Sequence, residues 1–192
     1  MKLVVVTSNP HKAEEIGVYL EGCMEVEHFK LEIPEYRDDD VGEIARKKGE
    51  FAYRMIQRPL IADDTAFSID ALSGFPGPYA AYVQNTIGNS GILKLMAGVR
   101  DRNAHFETAI AYADREGVRI FRGRIDGTIV PAWGDEGFGY DPIFEWEGRT
   151  LAELSVEEKS RISHRARALA AFRKWLEEER IGSFWDDTIQ NR

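Results

Sequence analysis

The chain has 192 residues, of which 43% are hydrophobic and 30% charged, and its formal net charge is −8. These proportions fit a soluble globular protein large enough to bury a core. The negative charge argues against nucleic acid or an acidic membrane as a partner held by bulk electrostatics, yet leaves room for a local cationic pocket that binds a small anion. Cys23 is the single cysteine, which excludes an intrachain disulfide and a thiolate metal cluster. The N-terminal apolar stretch, Leu3-Val4-Val5-Val6, is too short for a signal segment or a membrane span, and a cytoplasmic location is expected.

Lys2 to Val6 reads as a fully buried strand, continuous and β-branched. It breaks into Thr7-Ser8-Asn9-Pro10-His11-Lys12, after which Ala13, Ile16 and Leu20 recur at helical spacing. A strand, a polar turn and a helix in that order offer backbone N–H groups and a lysine to an anion. The same residues also make a plain N-cap, with Pro10 in the first turn and a solvated Lys12. Met24 to Phe29 alternates as a second strand, and Asp38-Asp39-Asp40 opens a helix that runs from Val41 to about Met55. Glu35 follows Ile33-Pro34, a pair that holds the backbone extended. Lys48 interrupts the helix's apolar stripe of Ile44 and Ala52, so it either snorkels to the surface or points into a cleft.

The short apolar run Leu60-Ile61-Ala62 is expected to end at Asp63-Asp64-Thr65. Adjacent carboxylates at a buried strand's end are either a turn that caps the next element or a pair needing a cation. Gly74-Phe75-Pro76-Gly77-Pro78-Tyr79 reads as a rigid irregular loop, and Ile92, Leu93, Leu95 and Met96 as part of a helix ended by Gly98. Phe106, Thr108, Ile110 and Tyr112 alternate with Glu107, Ala109 and Ala111. With the turn at 114–117 and the apolar run to Val130 they predict a long antiparallel hairpin, a second lobe on the α/β core.

Glycines flank Phe138 in Gly137-Phe138-Gly139-Tyr140-Asp141, where two rings beside a carboxylate suit either a nucleobase or the core. Ser155 and Glu158 form a capping box. In one unbroken helix, Lys159 would face away from His164 and Arg165; a fresh helix capped by Ser160 or Ser163 would let all three enter one cleft. The polar tail from Gly182 carries Phe184 and Trp185, which suit packing across a neighbouring surface.

Glu35, Asp63 and Asp64 with Lys12, Lys48, Lys159 and Arg165 make a set suited to a metal-dependent phosphate site. Thr7 to Lys12, Ile33-Pro34-Glu35, Ala62-Asp63-Asp64-Thr65, Gly74-Phe75-Pro76-Gly77, Phe138-Gly139-Tyr140-Asp141 and Ser163-His164-Arg165 occur in one order along nearly the whole chain. In these motifs the chain resembles the inosine triphosphate pyrophosphatase family, the XTP/dITP diphosphatases. The resemblance implies a single domain of elongated, two-lobed mixed α/β fold with a central cleft, usually a homodimer. It also implies Mg2+-dependent hydrolysis of ITP, dITP and XTP to monophosphate and pyrophosphate. By the same resemblance Thr7, Ser8, Asn9, Pro10, His11, Lys12 and Lys48 would hold phosphates, and Glu35 and Asp64 the metal, with Asp64 also the general base. Thr65 and Lys159 would contact substrate, and Phe138, Gly139, Tyr140, Asp141, His164 and Arg165 would surround the base. Ala81 departs from the pattern, since relatives often carry a basic residue there.

Overall fold

The computed structural model describes residues 2–180. Strand β1 (Lys2–Val6) is buried beyond its first residue, because helices cover both of its faces. Leu3 and Val5 pack with Ile16 and Leu20 of α1 (Pro10–Leu20) and with Leu169 and Phe172 of α6 (His164–Trp175). Val4 and Val6 pack on the other side with Ala52 of α2 (Val41–Ile56). Two apolar faces on one strand require a helix layer on each side of the sheet.

Among the described residues the sheet has eight strands. Strand β2 (Glu25–Phe29) and β3 (Leu60–Ile69) flank β1 in parallel, and β5 (Asn103–Asp114) pairs antiparallel with β3 along its full length. Strand β6 (Gly117–Ile129) completes the hairpin with β5, and β7 (Phe144–Trp146) and β8 (Arg149–Thr150) follow. The expected hairpin is therefore present and continuous with the sheet that holds β1. Strand β4 (Pro76–Gly77) pairs with β3 at Phe67 and Ser68, where a rigid loop is expected from the sequence. Two helices, α3 (Ala80–Thr86) and α4 (Gly88–Leu95), connect this turn to β5, and α5 (Val156–Ile162) precedes α6. The tail with Phe184 and Trp185 lies outside the described residues.

Small residues decide how closely the layers approach. On β5, Ala109, Ala111 and Ala113 face α2, which answers with Ala45, Gly49 and Ala52. A Cβ built on Gly49 would lie 2.9 Å from the Ala111 Cβ, so this seam has no room for a larger side chain. The opposite face of β5 carries Ile110 and Tyr112 against Ala168, Leu169 and Phe172 of α6. On β6, Gly123 lets the backbone of α6 come close: its absent Cβ would collide with the carbonyl oxygen of His164 and the amide nitrogen of Ala168.

Gly123→Ala is accordingly expected to lower the unfolding free energy by about 1–3 kcal/mol through overpacking against α6. Gly17→Ala, in α1 with nothing within 4 Å of the added carbon, is expected to raise it by roughly 0.5–1 kcal/mol. Urea unfolding measures both, and a Gly123→Ala protein as stable as the parent would contradict the close-contact account.

Candidate functional site

A gap in the sheet creates the cleft. Strand β1 pairs with β3 only as far as Val6 and Ala62, while β4 pairs with it from Phe67 onward. Between them, no strand among the described residues covers that edge of β3, and Asp63 to Ala66 lie along it. The cleft of about 480 Å³ opens there, beyond the carboxyl end of β1. The expected strand end at Asp63-Asp64 is thus corrected: β3 runs on to Ile69, and it is the parallel neighbour that stops. β5 keeps β3 hydrogen-bonded, and helices supply cations that satisfy both carboxylates, so nothing forces the strand to break at the charges.

Strand alternation sends the two aspartates to opposite faces. Asp63 faces α1 and α6, where Lys12 Nζ lies 3.0 Å and Arg165 Nε 3.2 Å from its Oδ2. Burial alone would raise the Asp63 carboxyl, but the Lys12 and Arg165 charges outweigh it and hold the group far below the usual carboxylate range. Arg165 also donates to Glu15 and, at 3.2 Å, to Thr65 Oγ1. Glu15 in turn receives Lys159 at 2.6 Å, and Lys159 reaches Asp141 at 2.8 Å. Burial opposes ionisation of Glu15, yet Arg165 and Lys159 bring its pKa below the ordinary value. Burial likewise opposes the Lys159 charge, but Asp141 and Glu15 prevail and raise it.

Asp64 faces α2 and accepts a hydrogen bond from Lys48. Burial works against the Lys48 ammonium, and Asp64, with smaller contributions from Asp63 and Glu35, more than compensates. The lysine that interrupts the helix stripe therefore points into the cleft. Glu35, in the irregular segment between β2 and α2, lines the same space.

At α1 the N-cap is present, but Lys12 is not solvated as the plain-cap alternative has it. Asn9 Oδ1 accepts from the backbone N–H groups of His11 and Lys12, and Pro10 has no N–H to give, so the helix start keeps few free donors. The cap side chain is satisfied within the turn, so of the anion-site alternative it is the lysine that holds: Lys12 lines the cleft, paired with Asp63 and only 16% exposed. Pro10 and His11, expected at the phosphates, are absent from the residues that line the cleft; His11 stacks on Phe138 with ring centroids 5.1 Å apart.

At the other end Ser163 caps α6 as a fresh helix, which turns His164 and Arg165 into the cleft beside Lys159. Phe138 and Gly139 line it too, and Lys159 Nζ sits 5.0 Å from the Phe138 ring. Tyr140 divides its roles, stacking on Phe67 at 4.4 Å and donating to the carbonyl of Ala80. His164 stacks on Phe106 at 4.8 Å. Burial, then the charges of Arg165, Lys159 and Lys12, push its pKa well below the usual histidine value, so the ring is neutral.

The structure thus brings Thr7, Ser8, Asn9, Lys12, Glu35, Lys48, Asp64, Thr65, Phe138, Gly139, Tyr140, Asp141, Lys159, His164 and Arg165 to one cleft. Gln84 and Phe106 also line the cleft, and Glu15 and Thr108 stand behind it on Arg165 and His164; the sequence motifs point to none of the four. Glu15 stands three residues after Lys12 and beside buried Ile16, a position that could have revealed it. Gln84 and Asn89 both donate to the carbonyl of Gly139, a convergence of distant segments that no local pattern announces.

Residues 3–175 match the model of the Ham1 family. The dITP/XTP pyrophosphatase of Thermococcus kodakarensis is 48% identical over 93% of this chain and 98% of its own length. That of Saccharolobus solfataricus is 45% identical over 92% and 94%. Among solved structures, a HAM1 protein from Coxiella burnetii superposes with a TM-score of 0.81 at 29% identity, covering 93% of this chain and 99% of that one. The Staphylococcus aureus Ham1 protein gives 0.80 at 28%, covering 94% and 100%.

Replacing Asp63 by Asn leaves Lys12 without its buried counter-charge and Arg165 with Glu15 alone, and a loss of about 3–5 kcal/mol is expected at neutral pH. Because the folded pKa of Asp63 is depressed, its stabilisation is complete above the unfolded carboxylate value of about 4 and declines as pH falls toward the folded value. The gap between parent and variant, measured by urea unfolding at pH 7 and pH 3, should therefore shrink in acid; a gap independent of pH would contradict this assignment.

Proposed function

The chain belongs to the Ham1 family, and on that premise we propose that it hydrolyses the triphosphates of non-standard purines, ITP, dITP and XTP, to the monophosphate and pyrophosphate. One observation carries the reading: a single cleft holds Glu35, Asp63 and Asp64 with Lys12 and Lys48 around the sheet gap, and His164 with Phe138 beyond them. Lysines suit a polyphosphate, and a neutral imidazole beside an aromatic ring suits a base.

The donor set fits a divalent ion, and Mg2+ is the metal we propose. Glu35 and Asp64 open on the same space, and a cation, the Lys48 ammonium, already stands on Asp64. Among the described residues no group of three or more His, Cys, Asp or Glu could hold a metal, so phosphate oxygens and water would complete the coordination. Bound there, the ion would polarise the phosphoryl oxygens. Lys12 and Lys48 then grip the triphosphate. As Lys48 turns to phosphate, Asp64 is free to orient a water and accept its proton for attack in line with pyrophosphate as leaving group. Lys159, fixed by Glu15 and Asp141, stands as a further cation at the Phe138 side.

Inosine and xanthine carry a 6-oxo acceptor where adenine carries an amino donor. Most of the Arg165 donors are engaged by Asp63, Glu15 and Thr65, which leaves His164 as the group able to read that difference. A homodimer acting on the cytoplasmic nucleotide pool completes the proposal.

Pyrophosphate release from ITP, dITP and XTP, against GTP and ATP, tests it. Release is expected from the first three, abolished by EDTA and restored by Mg2+. Asp64→Asn should lower kcat by about a hundredfold or more, the scale of a lost general base. Liberation of orthophosphate instead, or full activity in the variant, would overturn the reading.

A further inference from the structure

Thr108 lies at the middle of β5 with no solvent exposure, on the face that otherwise presents Phe106, Ile110 and Tyr112. A buried hydroxyl without partners costs about 1–3 kcal/mol, so its bonds decide why it is there. Its Oγ1 is 2.7 Å from Thr65 Oγ1 on β3 and 2.6 Å from His164 Nδ1 on α6. Arg165 Nη2 meets Thr65 Oγ1 at 3.2 Å. Arg165, Thr65, Thr108 and His164 form one line of hydrogen bonds from a guanidinium to an imidazole.

The line has a direction. A guanidinium only donates, so Thr65 accepts at that end. If protons then run from Thr65 to Thr108 and from Thr108 to Nδ1, each hydroxyl hydrogen has an acceptor and each bond polarises the next. In the reverse order Thr65 accepts from both neighbours, and its own hydrogen leaves the line for the cleft that Thr65 borders. The stack of Phe106 on the imidazole holds the ring plane while this bond selects its tautomer.

Resting on the nucleotide reading above, we propose that Thr108 is a specificity-determining positioning residue, which fixes His164 with Nδ1 as acceptor and Nε2–H as a donor directed to the 6-oxo group of the base. Thr108 touches no substrate; it acts through the imidazole. An adenine 6-amino group would then meet a second donor and go unpaired. Thr108→Val keeps the shape and removes the hydroxyl, freeing His164 to take the other tautomer and accept from adenine.

The test joins a spectrum to a ratio. Imidazole nitrogen NMR of the full chain, which has only four histidines, should report the Nε2–H tautomer for His164. Thr108→Val should lower the ITP-to-ATP ratio of kcat/KM by about tenfold, the scale of one misplaced hydrogen bond, and Thr108→Ser should restore it. A structural role alone would depress both substrates together and leave the ratio unchanged, which would overturn the proposal. So would an Nδ1–H tautomer in the parent protein, a result that stands even if Thr108→Val fails to fold. Should the parent turn over no nucleotide, the activity reading falls, while the tautomer still decides the role of Thr108.

Discussion

Two neighbouring carboxylates on one strand govern the site. Because side chains alternate along β3, Asp63 and Asp64 never face each other, and each meets a cation from a different helix layer. Adjacent acids packed on one face would compete for a proton; divided between faces, both sit opposite ammonium or guanidinium groups. The gap between β1 and β4 lets both faces contribute to one cleft. The two halves differ in what can change. Asp63 stays tied through Arg165 to Glu15 and Lys159 even when Lys12 turns to a phosphate, whereas Asp64 is held by Lys48, which a phosphate can draw away.

A chain of net charge −8 can still receive a polyanion because its cations are concentrated where the strands open. Their placement depends on close-packed layers. The alanine and glycine seam between α2 and β5 brings Lys48 over the sheet to Asp64, and Gly123 lets α6 carry His164 and Arg165 up to the opposite face. Packing and electrostatics are therefore one design: a bulkier residue at either seam would withdraw a charge from the cleft.

Elements governed by local pattern were legible in the sequence. The branched run of β1, the capping box at Ser155 and the alternation of β5 each correspond to a period or a cap, and each is present. The choice of a fresh helix at Ser163 was visible as an alternative and needed the fold to decide it. What escaped depended on tertiary partners. The end of β3 was misplaced because its continuation relies on β5 and on distant cations, and neither leaves a mark near Asp63. Helix α3 is short, and its Gln84 matters only through Gly139, far along the chain. The helix-start donors looked open because a side chain that caps and one that binds an anion have the same identity, Asn9.

A crystal structure with Mg2+ and a non-hydrolysable inosine triphosphate analogue tests the central claim most directly, that β3 divides a fixed ion-pair network from an exchangeable one. The account predicts that Lys48 leaves Asp64 for a phosphate oxygen, that Asp64 and Glu35 share the ion, and that Asp63 keeps Arg165. An analogue bound with the Lys48–Asp64 pair intact and Glu35 turned away from the ion would contradict it.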